Sequence, residues 1–411
     1  MSMSPILSAL LRNKTGAVLV SVQVALSLAI LANALHIVNV RQAVAARPSG
    51  IADESAVLYV STRYLAKESM QAHAAILQRE LAALRAVSGV ASVATINQMP
   101  MSNSGTNSSV FLDRKQVNEN VNAAVYRSGE SLIKTFQLKL VEGRDFTPAD
   151  ILEIDPDASD NAPKTTIITK AMADKMWPNQ SAIGKTLLWG SGEDARPARV
   201  VGVVERLQSP WAQLDAEGDY SAIQPYRGLG GDVRNAYAVR AEPGQRDRVI
   251  KEAESALLKS AGVPIIVKSK TAQEHRKERY RADVALSWML ITVSLLLLVI
   301  TASGIVGMAS LWVTQRRKQI GVRRALGARR VDILRYFITE NIMITTAGVA
   351  GGLMLSLGLN QLLVSKLEMA RLPPAYLLGG VGVFYLLGII AVYGPAWRAA
   401  TISPATATRS A

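Results

Sequence analysis

Four long stretches of this 411-residue chain carry no charged side chain, and they constrain its fold more than any other feature. Residues 15–40 lie between Lys14 and Arg41, 284–315 between Asp283 and Arg316, 341–365 between Glu340 and Lys366, and 372–397 between Arg371 and Arg398. Each reaches the roughly 20 residues that a helix needs to cross a hydrocarbon core. Buried soluble helices of this length keep a charged face, so four transmembrane helices are expected, at 15–40, within 271–315, at 338–365 and at 372–397. The first is interrupted by Gln23, Asn33, His36 and Asn39 and is followed by Ala43-Val44-Ala45, which resembles a signal-peptide cleavage site. Its apolar run exceeds the usual length of a signal peptide, so an uncleaved anchor is expected.

The basic excess of the chain follows these spans. The formal net charge is +14, yet from Arg41 to Asp283 there are 32 Lys/Arg against 29 Asp/Glu, while the other 168 residues hold 14 against 3. Such an excess beside apolar spans marks loops kept on the cytoplasmic side, and no nucleic-acid partner is expected. Between the second and third spans stand Arg316, Arg317, Lys318, Arg323, Arg324, Arg329, Arg330 and Arg335 with the single acid Asp332. This loop, 316–337, is therefore expected in the cytoplasm, with the N-terminal segment 1–14 and the tail 398–411. Residues 41–283 and the nearly neutral 366–371 link then lie outside. The absence of cysteine excludes disulfides and thiolate sites, and three scattered histidines, His36, His73 and His275, do not make a metal site.

The large outer region reads as α+β. Ala56–Val60 has strand character. The 66–87 segment follows with Met70, Ile76, Leu77, Leu81 and Leu84 at helical spacing, then a strand over Val90–Ile96. A similar unit appears later: a strand over Ala236–Ala241, a helix near 245–260 and a strand over Val263–Val267. Two such β-α-β units predict a ferredoxin-like layer interrupted by a mostly β insert. The insert has strands at Thr165–Thr169, Thr186–Trp189 and Val200–Val204 and a short helix at 170–177. A charged segment, 271–283, runs without a breaker into the second span and predicts one continuous helix.

Catalytic motifs are not found. Gly184-Lys185-Thr186 ends like a phosphate-binding loop, but Asn179 stands where the leading glycine is required, so no nucleotide site is expected there. The carboxylates Asp150, Glu153, Asp155, Asp157 and Asp160 lack the spacing of a calcium loop.

The informative segment is Gln315-Arg316-Arg317-Lys318-Gln319-Ile320-Gly321-Val322-Arg323-Arg324-Ala325-Leu326-Gly327-Ala328-Arg329-Arg330. Ile320, Ala325 and Leu326 are apolar within a charged loop, which suits a short amphipathic helix at the interface, and Gly327 is placed to end it. With residues 394–410 and the outer segments 135–146, 166–187 and 198–207, this segment strongly resembles the FtsX-like/MacB family of ABC-transporter permeases.

The resemblance implies a bacterial inner-membrane protein with four transmembrane α-helices and a large α+β periplasmic domain. Within core domain 41–270, it implies a ferredoxin-like porter subdomain (51–100 and 231–270) with an inserted sabre subdomain (101–230). It makes Gln315, Arg316, Arg317, Lys318, Gln319, Ile320, Gly321, Arg323, Arg324, Ala325, Leu326, Gly327 and Ala328 a coupling element that docks on an ABC ATPase. It also implies a permease dimer, two ATPase copies, a periplasmic adaptor and an outer-membrane channel. No cofactor or metal is expected in this chain, since ATP and magnesium would be held by the ATPase, here expected as a separate polypeptide. The leading functional expectation is ATP-driven efflux of antibiotics, peptides or similar amphiphiles by mechanotransmission. Lipoprotein release of the LolC/LolE type and FtsX-like signalling to a cell-wall hydrolase are the alternatives.

Overall fold

Apolar and polar side chains alternate along residues 58–64, so that Leu58, Val60, Thr62 and Tyr64 share one buried face, the pattern of a half-buried strand. In the computed structural model, which describes residues 14–102, 104–154, 161–211, 216–367 and 370–401, this strand is central to the extramembrane unit Val44–Ala282. The acidic positions Asp155, Asp157 and Asp160, the link residue Glu368 and most of the two termini lie outside the described residues.

In chain order the unit opens with β1 (Val57–Glu68), α1 (Met70–Arg85) and β2 (Val90–Thr95). The insert follows with β3 (Asn107–Phe111), β4 (Val121–Arg127), α2 (Leu132–Phe136), β5 (Leu140–Gly143), β6 (Leu152–Ile154), β7 (Thr165–Thr169) and α3 (Lys170–Met176). It continues with β8 (Thr186–Trp189), β9 (Arg196–Val204), β10 (Ser221–Gln224) and β11 (Tyr226–Gly228). The chain returns through β12 (Gly231–Ala241), α4 (Arg246–Ala261) and β13 (Ile265–Thr271). The outer strands form an antiparallel sheet ordered β13-β1-β12-β2, the ferredoxin-like arrangement of two β-α-β units. One boundary differs from the sequence reading: β1 pairs with β12 past a bulge as far as Glu68, and α1 starts only at Met70. Ser69 sets that start, because its hydroxyl accepts the Ala72 amide at 3.3 Å as an N-cap.

In the insert, β8 pairs with both β3 and β9, so six strands, β9-β7-β10-β4-β3-β8, close into a barrel. β5 extends the other end of β9, and β6 and β11 form a separate parallel pair. Closure removes free sheet edges. The barrel is filled by Val110, Val121, Val125, Ile168, Leu187, Trp189 and Val200, with Met172 and Met176 of α3.

Beneath the ferredoxin-like sheet lies a fully buried carboxylate. Glu80 of α1 accepts hydrogen bonds from Tyr237 (2.6 Å), Asn235 (2.7 Å), Thr62 (3.1 Å) and Tyr64 (3.2 Å). His73, one face along the helix, donates through Nε2 to Asn235 Oδ1 at 2.7 Å and accepts the Gly230 amide at Nδ1. Burial raises the Tyr237 hydroxyl well above the ordinary tyrosine value, and the Glu80 carboxylate adds to this, so the phenol remains a donor. The sequence periodicity located Ile76, Leu77, Leu81 and Leu84 on this face but gave no sign that His73 and Glu80 share it.

The membrane unit comprises residues up to Ala43 and from Asp283 onward. Four helices, Lys14–Ala45, Ala272–Gln315, Arg330–Leu367 and Pro374–Ala400, are long and apolar enough to cross a membrane. The first is the innermost: 56% of its most apolar window is buried, against 17% for the second. Its polar interruptions are interhelical fasteners. Asn33 donates to Ser356 O at 3.2 Å, His36 meets Ala370 O at 3.2 Å, Asn39 donates to the Tyr376 hydroxyl at 2.7 Å, and Ser27 bonds Thr301 at 2.9 Å. Small residues let the third helix approach: a Cβ at Gly348 would lie 2.8 Å from the Ser21 carbonyl oxygen, and one at Gly352 would lie 2.9 Å from Leu28 Cδ2. Without a hydrophobic drive between helices in lipid, such close contacts and side-chain bonds hold the bundle.

Glu80→Ala leaves four buried donors without an acceptor. It is expected to cost about 3 kcal/mol or more, and Glu80→Gln clearly less. Scanning calorimetry of the solubilised chain checks this: equal melting temperatures for parent and Glu80→Ala would show that the network contributes nothing.

Candidate functional site

The helix that begins at Ala272 runs for 44 residues and ends at Gln315. It starts with a reciprocal cap, in which Thr271 N–H donates to Glu274 at 2.8 Å and Glu274 N–H donates to the Thr271 hydroxyl at 3.0 Å. Within the extramembrane unit its first turns are fixed by Ala272 in the core, by Arg276 paired with Glu54, and by Tyr280 packed with Val44 and Met101. The continuous helix expected from the charged 271–283 segment is present.

At Arg316 the chain breaks and a nine-residue helix, Arg317–Ala325, begins. It ends as a Schellman motif: Gly327 at φ +96 donates its amide to Arg324 O at 3.2 Å, and Ala328 donates to Arg323 O at 3.0 Å. A residue with a side chain would be strained at that φ. The next helix is started by Asp332, whose carboxylate accepts the Arg329 amide at 2.9 Å.

The thirteen residues named from the resemblance divide into two groups. Ile320 and Gly321 are buried, Ile320 in a cluster with Trp312, Ile333 and Phe337. Arg324 is half-buried and donates to Ala400 O at 2.8 Å, at the end of the fourth helix, and Ala328 packs on the same cluster. Arg316 is also turned inward. Its Nη1 donates to both oxygens of Glu340, at 2.9 and 2.8 Å, and to the Tyr336 hydroxyl at 3.2 Å. The Glu340 side chain is 1% exposed. Exposed instead are Gln315, Arg317, Lys318, Gln319, Arg323, Ala325, Leu326 and Gly327, joined by Val322, which the resemblance did not single out. Leu326 is 82% and Val322 51% exposed, one turn apart. The free face is thus an apolar pair among guanidinium and ammonium groups, and the Arg323 guanidinium also stacks over Tyr336 at 5.2 Å.

Sequence reasoning missed the residues that hold this turn. Tyr336 and Ala400 gave no signal, and Glu340 served only to bound a span, although an acid beside an apolar run facing eight basic residues was a sign of a pair. Gly184-Lys185-Thr186 is a turn into β8: Gly184 N–H donates to Val200 O at 2.8 Å, and the Lys185 ammonium lies 5.5 Å from the Trp177 ring centroid.

Residues 24–256 match the family model of the MacB-like periplasmic core domain, and residues 291–404 that of the FtsX-like permease C-terminal domain. A macrolide export ATP-binding/permease protein MacB of Chromobacterium violaceum is 29% identical over 298 residues, covering 70% of this chain and 43% of that protein. Its counterpart from Neisseria gonorrhoeae is 26% identical over 293 residues, with the same coverage of 70% and 43%. The chain thus spans less than half the length of these relatives. The crystal structure of the periplasmic region of MacB from Actinobacillus actinomycetemcomitans aligns at 17% identity with a TM-score of 0.35, covering 54% of this chain and 92% of that one.

Removing Arg316 would leave Glu340 charged and buried. Arg316→Met is expected to cost about 3 kcal/mol, while adding Glu340→Leu to it recovers most of the loss. A double-mutant cycle of thermal unfolding in one detergent decides this, and additive losses would mean the pair is not coupled.

Proposed function

Because this chain belongs to the family of permeases that join a MacB-like periplasmic core domain to an FtsX-like permease domain, we propose that it is the membrane-spanning part of an ABC exporter, driven at the Arg317–Ala325 helix by a cytoplasmic ATPase. The observation that carries this reading is the division of that helix into a fastened face and a free face. Ile320 and Gly321, with the flanking Arg316 and Arg324, hold it to the bundle. Arg317, Lys318, Gln319, Val322, Arg323, Ala325 and Leu326 stand open. An apolar anchor ringed by cations suits a groove with an acidic rim on a partner.

A displacement of this turn passes directly into the helix ending at Gln315, which is one element of about 66 Å, with its other end capped and anchored at Ala272 to Tyr280. No acidic residue lies inside that helix after Asp283 to serve as an ion relay. ATP and magnesium are assigned to the partner ATPase, in two copies serving a pair of permeases. The relatives named for macrolide export favour small amphiphiles as cargo, passed on by a periplasmic adaptor and an outer-membrane channel. The basic turn and both termini are placed in the cytoplasm and Val44–Ala282 in the periplasm, by the charge bias of the loops.

Charge reversal of Arg317 and Lys318 together leaves the fastened face, including the Arg323 stack on Tyr336, intact. It is expected to lower macrolide export at least tenfold and to abolish stimulation of the ATPase by the permease, with insertion and melting temperature unchanged; transport at the parent rate would sink the docking assignment. The chain has no cysteine, so Gln319→Cys gives a single reporter. A membrane-impermeant thiol reagent is expected to label it in inverted vesicles and not from the periplasmic side, and the reverse result would invert the topology.

A further inference from the structure

The third and fourth membrane helices meet along a seam whose register two contacts fix. The Thr346 and Tyr385 hydroxyls bond at 2.8 Å, and a Cβ at Gly388 would lie 2.6 Å from Asn341 Nδ2. The two helices run antiparallel, so Arg335, about three turns before Thr346, stands level with the stretch from Tyr393 to Trp397, about three turns after Tyr385. Thr339 and Arg335 share the face of Thr346, because their spacing keeps to whole turns.

At this end the seam carries groups to which the coupling reading gives no task. Arg335 is exposed, and no carboxylate pairs with it among the described residues. Asp332, the acid one turn away, is turned to the Arg329 amide at 2.9 Å. The terminal segments 1–13 and 402–411 contain no Asp or Glu, so the positive charge at this end stands whatever their course. On the fourth helix Leu386, Ile390, Tyr393 and Trp397 recur at helical spacing and are 48–71% exposed. The Tyr393 and Trp397 rings stack with centroids 6.2 Å apart and planes 15° apart.

An apolar stripe that ends in tyrosine and tryptophan places those rings at the depth of the lipid headgroups. Rings alone accept any lipid, whereas an unpaired guanidinium beside them favours a headgroup of net negative charge. A second copy of this chain suits the arginine less well. Among the described acids of the membrane unit, Asp283 is paired with Arg41, Glu340 is buried against Arg316, and Asp332 caps a helix.

We infer that this seam binds an anionic phospholipid: the Arg335 guanidinium takes the headgroup phosphate, Tyr393 and Trp397 flank the glycerol region, and Leu386 and Ile390 receive an acyl chain. The planar guanidinium offers a phosphate two parallel hydrogen bonds, which an ammonium does not. The site requires the helices to lie in lipid and is independent of any ATPase.

The test uses the full chain in nanodiscs of fixed phosphatidylcholine and phosphatidylglycerol content, with bromine on the acyl chains of one lipid or of the other. Bromine quenches nearby indole fluorescence, and the Trp397 share is the difference between the parent and Trp397→Phe. Trp397 is expected to be quenched about fivefold more strongly by brominated phosphatidylglycerol than by brominated phosphatidylcholine. Arg335→Ala should bring the two lipids to parity, and Arg335→Lys should keep part of the preference. Arg398→Ala, on another side of the fourth helix, should leave it unchanged. A nanodisc has the same lipids on both faces, so the result does not depend on which side the basic turn occupies, and failure here leaves the docking test standing. Equal quenching by the two lipids in the parent, an undiminished preference in Arg335→Ala, an equal loss in Arg398→Ala, or loss of the preference to millimolar inorganic phosphate would overturn the assignment.

Discussion

A carboxylate all but removed from solvent at the end of a membrane-spanning helix requires a cation, and Glu340 has one in Arg316. That contact fixes the turn on which the functional reading depends. Arg316 is the residue between the 44-residue helix and the Arg317–Ala325 helix, so a single guanidinium bonded to both Glu340 oxygens and to Tyr336 ties the junction of two helices to the third span. Arg324 repeats the device toward the fourth span through Ala400 O. With Ile320 buried between these two anchors, the short helix has little freedom to swing on its own.

The same economy of polar contacts governs the rest of the bundle. In lipid, apolar side chains gain nothing by leaving the solvent for one another, and helix contacts come from close approach and from hydrogen bonds. The first helix supplies both. Its Val24 and Leu28 lie against Gly348 and Gly352, and Asn33, His36 and Asn39 reach the third and fourth helices or the link between them. Residues that interrupt the span as a hydrophobic signal are those that integrate it into the bundle. At the edge of the unit, Arg41 pairs with Asp283, joining the first two helices where their apolar stretches end.

Much of this architecture was legible in the sequence because its causes are local. Charge-free runs gave the four long helices, period-3.6 and period-2 patterns gave the two β-α-β units, and the motif at 315–330 gave the family. The less legible parts depend on distant partners. The face of α1 that carries Ile76, Leu77 and Leu81 also carries Glu80 and His73, which are tolerated only because Thr62, Tyr64, Asn235 and Tyr237 arrive from other strands. Closure of the barrel rests on β8 pairing with β9 across a tight turn and with β3 from far upstream, which no window of sequence shows. In the 315–330 segment, Ile320, Ala325 and Leu326 stood out as apolar residues in a charged loop, suited to one amphipathic helix. The structure instead buries Ile320 and leaves the other two outward, because a nine-residue helix pinned at Arg316 and Arg324 must turn one side to the bundle.

The distribution of arginines separates structural from functional positions. Where a guanidinium is withdrawn from water for the fold alone, the chain gives it a carboxylate or a carbonyl: Arg316 has Glu340, Arg227 has Glu130, Arg276 has Glu54, Arg324 has Ala400 O and Arg240 has Thr135 O. Arg317 and Arg323 stand outside this rule. Among the described residues they have no carboxylate partner, yet both remain hydrated, and an exposed cation left in water costs the fold almost nothing.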